Sequence, residues 1–598
     1  MAKRNKYDVD EELDRHLDFS RLKRALVYIK PYRLLMLLAL LMSALAAIMS
    51  LLPPKFLQIA IDEAMVNPDQ TAGVRQLVNL AIATLLTIIV SASLSGVRGF
   101  IMSKIGQNII YNIRADLFEH LQKLPFSYYD SRPHGKILVR VVNYVNNVSN
   151  TLTNGIINAI IDILNIVFIA VFMFLLSPQL ALLVLIGLPI LLGFVFLVKN
   201  AQRKAHLRSN NKNSNLTAYT CENINGVKVV EIFNRQDKNM EIFEGLNLDY
   251  RKAWYKMAFM SVTPSIVSEN LKRFVVSLVY LGGVLWISHG DSIEIGVLLA
   301  MATYASRFWD PIISLANIYN DFLTSASYLE RIFQTMDEPI DIADGENSKP
   351  IENIKGEIEF KNVNFEYEKD IRILKDISFK AKAGESIALV GPTGSGKSTI
   401  VNLISRFYNV SSGELLIDGV NINDITISSL RTQMGIMLQD SFIFSGTIAD
   451  NVRYGKLDAT IEEVKAACKA VCADEFIESF PNGYDTVVNE RGGMLSQGQK
   501  QLIAFARTML RNPAVLILDE ATSSIDANTE KLLQIGIESL LKGRTSFIIA
   551  HRLSTIKNCD KIMFIQDGQI IECGTHDELM AKQGAYYKLC MAQNTKAN

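Results

Sequence analysis

Apolar positions along the chain fall into two regimes. Between residues 34 and 317 they come in long unbroken runs, and from about residue 350 onward they come in short strand-like or helical patterns. An α-helix rises about 1.5 Å per residue, so crossing a hydrocarbon core of about 30 Å takes about 20 apolar residues. Residues 34–52, 77–97, 156–176 and 180–198 meet that requirement. A fifth run near 274–288 has an apolar approach from Met257, and a sixth extends from Ile295 to about Ala316. The pattern predicts a membrane half of six helices followed by a globular half.

Positive charge orients the spans. Residues 1–33 hold nine Lys/Arg, the 53–76 connection two, 98–155 seven, 177–179 none, 199–256 eleven and 289–293 none. That alternation predicts both termini and both long connections on the cytoplasmic side. The long connections show apolar residues at helical spacing over 109–124 and 222–243, broken by turn chemistry at 130–135 and at Asn225-Gly226. The expected shape is membrane helices running on into the cytoplasm, each pair joined by a short tip able to dock on the globular half. The first apolar run follows a charged 33-residue lead with no small-residue cleavage site after it, so no cleavable signal is expected.

Asp162, Glu269, Lys272, Arg273, Arg307 and Asp310 interrupt the apolar runs. Charge in hydrocarbon is costly, which points to paired sites or a wet pathway. Arg307 and Asp310, at i and i+3, are expected to satisfy one another. Tyr304, Phe308 and Trp309 beside them are expected to serve helix packing.

The globular half carries phosphate chemistry. A buried-strand run at 386–390 leads into Gly391-Pro392-Thr393-Gly394-Ser395-Gly396-Lys397-Ser398-Thr399, the phosphate loop in its strand–loop–helix setting. Glycines let backbone N–H groups close around phosphate oxygens, and the helix beginning near Lys397 points its positive end at the same anion. Lys397 is expected to reach the β- and γ-phosphates and Ser398 to ligate Mg²⁺. A second buried strand, 514–518, ends in Asp519-Glu520: Asp519 supplies an outer Mg²⁺ contact and Glu520 polarises the attacking water. A third, 545–550, ends in His551, placed to hydrogen-bond a γ-phosphate.

These motifs, in this order behind six spans, resemble the ATP-binding cassette (ABC) exporters of the half-transporter kind. The resemblance implies an all-α six-helix transmembrane domain followed by an α/β P-loop NTPase domain. Its expected boundaries are a cytoplasmic segment with an elbow helix (1–33), the transmembrane domain (34–325), a linker (326–355) and the nucleotide-binding domain (356–598). It implies ATP and Mg²⁺ as cofactors, the lipid bilayer and an amphipathic substrate as partners, and a place in the cytoplasmic membrane. By resemblance, Tyr367 stacks on adenine, and Gln439 senses Mg²⁺ and water. The 489–493 segment touches the cytoplasmic tips, and 523–526 communicates between two ATP sites. Ser496, Gly498 and Gln499 belong to a signature that closes over ATP held by the other subunit.

That signature reads Leu495-Ser496-Gln497-Gly498-Gln499, with Gln497 where the family usually has glycine. A side chain there intrudes where backbone approaches phosphate. Glu520 and His551 are intact, so the combination resembles the competent member of a heterodimeric exporter whose partner has degenerate catalytic residues. A homodimer and an ATP-gated regulator without net transport are the alternatives.

Composition adds exclusions. The 598 residues carry 61 Lys+Arg against 61 Asp+Glu, so no net basic charge points to nucleic acid. A 49% apolar content excludes a disordered chain. None of the six cysteines forms a CxxC pair, and Cys468 and Cys472, expected on one helix face, are read as core residues of a reducing compartment.

Overall fold

A computed structural model describes residues 24–132, 134–288, 293–368, 371–437, 441–489, 492–519, 527–549 and 556–597. It divides into two compact units: residues 1–122 with 134–338, and residues 123–133 with 339–598.

The first unit is helical. Its long helices are α1 (Arg33–Ile59), α2 (Gln70–Lys123), which ends in the second unit, α4 (Ile156–Leu176), α5 (Pro178–Asn225), α7 (Gln236–Ser288) and α8 (Ile295–Met336). Short helices α3 (Phe126–Asp130) and α6 (Val227–Ile232) follow the ends of α2 and α5. Helix α4 has the limits that the hydrophobic run predicts, while α2, α5 and α7 extend to 54, 48 and 53 residues. At about 1.5 Å per residue each is more than twice the length a membrane demands. Among the described residues, five helices are long and apolar enough to cross a membrane. Helix α8 falls short of that hydropathy because Arg307, Asp310 and neighbouring polar residues interrupt it.

Side chains with no room to spare hold the bundle together. Tyr304, Phe308 and Trp309 are buried in the α8 core, as their packing role required. A Cβ on Gly187 of α5 would lie 2.7 Å from the Trp309 ring, so only glycine lets these helices approach so closely. The expected pairing of Arg307 with Asp310 is not what forms. Arg307 Nη1 donates to the Ser50 carbonyl at 2.7 Å, and Asp310 pairs with Lys272 at 3.4 Å. The cause lies in α1: Pro54 has no N–H to give the carbonyl four residues back, which is that of Ser50, and the guanidinium supplies a donor instead.

The second unit is built on a six-stranded sheet in the order β12-β11-β3-β10-β9-β6. Its strands are β3 (Ser386–Val390), β6 (Met434–Met437), β9 (Val515–Asp519), β10 (Thr545–Ile549), β11 (Lys561–Gln566) and β12 (Gln569–Gly574), parallel except for β12 at the edge. Strands buried on both faces read as continuous apolar runs, which is why 386–390 is legible as sequence. A four-stranded antiparallel sheet, β2-β1-β4-β5, packs through Phe360, Ile377 and Leu415 into the core beneath β3 and β9; it comprises β1 (Ile358–Glu368), β2 (Ile371–Ala381), β4 (Ser412–Ile417) and β5 (Val420–Asn421). Cys468 and Cys472 do not share a helix. The helix carrying Cys468 ends at Ala470, and Cys472 follows it in a left-handed conformation at φ 58°. Burial pushes the Cys468 thiol up to about 12.

Candidate active site

Strand β3 delivers the phosphate loop, and helix α9 (Lys397–Ile404) takes the chain away from it. Gly391 has φ +150°, and a Cβ on it would lie 2.0 Å from the Ile565 carbonyl oxygen of β11. Gly394 has φ +81° with open space around it. The first glycine therefore answers to packing of the loop against the sheet, and the second to backbone conformation alone.

Lys397 is buried, and its Nζ donates to the carbonyls of Gly391 and Pro392 at 2.9 and 2.8 Å. Burial holds its pKa below the ordinary lysine value, while the Asp519 carboxylate acts in the opposite sense. The ammonium is thus folded back over its own loop, held by neutral carbonyls that a phosphate can replace. Ser395 Oγ is buried and has no hydrogen-bond partner among the described residues. An unmet hydroxyl in a cradle of backbone N–H groups fits an anion. Ser398, on the first turn of α9, is exposed and free to face a cation, whereas Thr399 is buried.

Asp519 is the last residue of β9, paired in register with Ile549 of β10, which in turn pairs with Leu389 of β3. Parallel register thus brings the carboxylate to the same sheet end as the loop. Ligands in parallel α/β sheets bind at that carboxyl end. Asp519 and Ser398 offer hard oxygen donors of the kind that Mg²⁺ takes. Gln439, Glu520 and His551 lie outside the described residues, as do 523–526 and Glu490-Arg491.

Tyr367 reaches the loop helix from β1. Its hydroxyl donates to Thr399 Oγ1 at 3.2 Å and receives Asn402 Nδ2 at 3.3 Å. Phe365 and Tyr408 meet its ring edge-on, at centroid distances of 4.7 and 5.0 Å, and the residue stays 45% exposed. An aromatic face held steady and left open is a platform for a base.

The altered signature opens helix α10 (Gln497–Arg511). Ser496 caps it: Ser496 Oγ accepts from the Gln499 N–H at 3.2 Å, and Gln499 Oε1 accepts from the Ser496 N–H at 2.9 Å. Gln497 is therefore the first helical residue, exposed, while Gly498 is buried. The capping box is closed by Ser496 and Gln499, which leaves the Gln497 side chain standing at the helix's positive end.

The tip α3 belongs to this unit. Phe126 stacks on Phe407 at 5.1 Å, and Tyr408 Oη donates to Asp130 Oδ2 at 2.8 Å. Tyr408 thus touches the tip with its hydroxyl and Tyr367 with its ring, a connection that no sequence motif marks. Burial and the Asp130 hydrogen bond raise its pKa.

Residues 36–312 match the ABC transporter transmembrane region, and 374–523 match the ABC transporter family. An uncharacterized ABC transporter ATP-binding protein of Bacillus subtilis, YknV, is 39% identical over 99% of this chain and 97% of its own length. The chain belongs to the ABC exporters. Another relative of this exporter, a fatty acid ABC transporter ATP-binding/permease protein of Mycobacterium bovis, is 37% identical over 81% of the chain and 76% of its own length. A solved bacterial Atm1-family ABC exporter with ATP bound superimposes with a TM-score of 0.79 at 27% identity, over 96% of this chain and 99% of that one. The exporter is a multi-pass membrane protein whose cassette binds ATP and couples its hydrolysis to transport.

Proposed function

We propose that this exporter is one half of a two-chain pump that moves amphipathic compounds out across the cytoplasmic membrane by alternating access. Its partner is a second half-transporter with degenerate catalytic residues. Both termini and the cassette face the cytoplasm. The observation that carries the pairing is Gln497, exposed at the first turn of α10, in the same chain as a complete phosphate loop with Lys397, Ser398 and Asp519. A second independent feature supports a second chain: Val227, Val229, Ile232 and Phe233 of the α6 tip are all exposed, an apolar strip that needs a cover.

In this reading Lys397 leaves the Gly391 and Pro392 carbonyls for the phosphates, and Ser395 Oγ gains the partner it lacks. Tyr367 orients the base. Mg²⁺ held by Ser398 and Asp519, with Gln439, would neutralise charge building on the phosphates. Glu520 polarises the attacking water and His551 holds the γ-phosphate. ATP drives the cycle only through its higher affinity for the closed state, since equal binding to both states shifts nothing. Closure reaches the helices through the contacts of α3 with Phe407 and Tyr408.

Glu520→Gln in the assembled pump is expected to keep ATP binding and lose at least about 100-fold in turnover, the lower range for removing general base catalysis; near-normal turnover refutes the hydrolytic assignment. Tagging this chain alone in its native membrane and identifying what co-purifies tests the pairing. A second six-helix cassette protein lacking the equivalent of Glu520 is expected. Recovery of this chain only, with a large gain in hydrolysis for Gln497→Gly, establishes a homodimer instead.

A further inference from the structure

The charged residues within the spans of α7 and α8 are not equivalent once their partners are known. Lys272 lies 3.4 Å from Asp310 and 3.6 Å from Glu269, and Arg273 lies 3.3 Å from Glu269. Two cations and two carboxylates close on one another, and this cluster carries no net charge. Arg307, one turn from Asp310 on α8, stands apart. Its Nη1 donates to the Ser50 carbonyl at 2.7 Å, and Tyr304 Oη beside it donates to the Leu51 carbonyl at 2.5 Å. Both contacts dock α8 on the proline-containing turn of α1.

A carbonyl satisfies a donor but leaves the charge in place. Among the described residues no carboxylate pairs with Arg307, and its side chain is exposed. Arg307 is twelve residues into α8, about 18 Å along it at about 1.5 Å per residue, within the span that the sequence predicts from Ile295 to about Ala316. A charged group within hydrocarbon needs water or an opposite charge beside it. The guanidinium presents five N–H donors in a planar fork, and the Ser50 carbonyl uses one edge of it. The same stretch of α7 that carries the neutral cluster leaves Ile266 and Phe274 exposed, giving apolar surface within the same layer.

We propose that Arg307 is the headgroup anchor of the cargo site and that the cargo is an amphiphile with an anionic headgroup, a carboxylate or a phosphate. This rests on the export reading above and narrows its substrate class. The charges of Glu269, Lys272, Arg273 and Asp310 pair with one another and sum to zero, so among the described residues Arg307 supplies this layer's unpaired positive charge.

The test uses the assembled pump in nanodiscs of phosphatidylcholine, with ATP hydrolysis measured against amphiphiles that differ only in headgroup. These are dodecanoate, dodecyl phosphate, dodecanol and dodecyltrimethylammonium. The two anions are expected to stimulate hydrolysis at concentrations about tenfold lower than the alcohol or the cation, as for one charge-assisted bond of about 1.4 kcal/mol. Comparing dodecanoate with dodecyl phosphate separates a carboxylate cargo from a phosphate one. Arg307→Gln should remove the preference, Arg307→Lys should restore part of it, and Arg307→Glu should turn it toward the cation.

Because Arg307 also satisfies the Ser50 carbonyl, its loss can weaken the fold. The double variant Pro54→Ala/Arg307→Gln returns a helical donor to Ser50 and isolates the loss of charge. A wild-type pump that responds equally to all four headgroups overturns the proposal, as does an equal shift for all four in the double variant. Accumulation of a neutral amphiphile in vesicles with no headgroup preference sinks this inference and leaves the export reading standing. Absence of ATP-dependent accumulation of any of the four sinks the export reading itself.

Discussion

Gly391 and Gly394 lie in one loop and answer differently to the same added carbon. Gly391→Ala drives Cβ against the Ile565 carbonyl, backbone of a neighbouring strand that cannot swing aside. Gly394→Ala meets no neighbour and incurs only the strain of φ +81°, about 1–3 kcal/mol. Thermal unfolding of the full pump should therefore show Gly391→Ala several degrees below Gly394→Ala, with nucleotide binding lost in the first; equal melting temperatures would contradict the clash. The glycine spacing was legible in the sequence, since the motif demands it. The distinct reason for each glycine was not, because β11, whose carbonyl Gly391 abuts, lies about 170 residues along the chain. Arg307 shows the same limit. Spacing of i and i+3 proposes Asp310 as its partner, and only the approach of α1, with its proline-freed carbonyl, offers a better one.

At the scale of elements, α3 and α9 show how a short tip is held. Phe126 on Phe407 and Asp130 on Tyr408 fasten a five-residue helix to the segment that follows the phosphate-loop helix. Tyr408→Phe removes the bond to Asp130 and keeps the ring. With a net hydrogen bond worth about 1 kcal/mol, transport per ATP hydrolysed should fall by about fivefold, while hydrolysis stays close to wild type. Loss of hydrolysis in parallel with transport would place Tyr408 in the ATP site rather than in coupling. The sequence marked turn chemistry at 130–135 and helical periodicity over 109–124 before it. It gave no sign of Phe407 and Tyr408, because one aromatic pair outside any motif looks like ordinary core. Cys472 errs in the other direction: its spacing from Cys468 implies one helix, but the chain leaves helical geometry after Ala470.

For the whole molecule, charge bias between spans is the strongest organising signal, and it can be checked directly. A cysteine introduced by Gln179→Cys, exposed in the first turn of α5, should react with an impermeant maleimide added to intact cells. Cys221, exposed near the far end of α5, should react only after the membrane is opened. Labelling of Cys221 in intact cells would invert the topology. The apolar runs, the phosphate loop and the family were readable along the chain alone, and the charge bias predicts the orientation that this labelling tests. Each of these rests on local composition or on contiguous motifs, and hydrophobic length and loop chemistry act over a few turns of chain. Tertiary structure decided which charges are neutralised, which carbonyl each donor meets, how β9 brings Asp519 to the loop's end of the sheet, and what surrounds the tip. Those outcomes depend on groups far apart in the chain coming within about 3 Å of one another, a distance at which hydrogen bonds form and which no local pattern encodes.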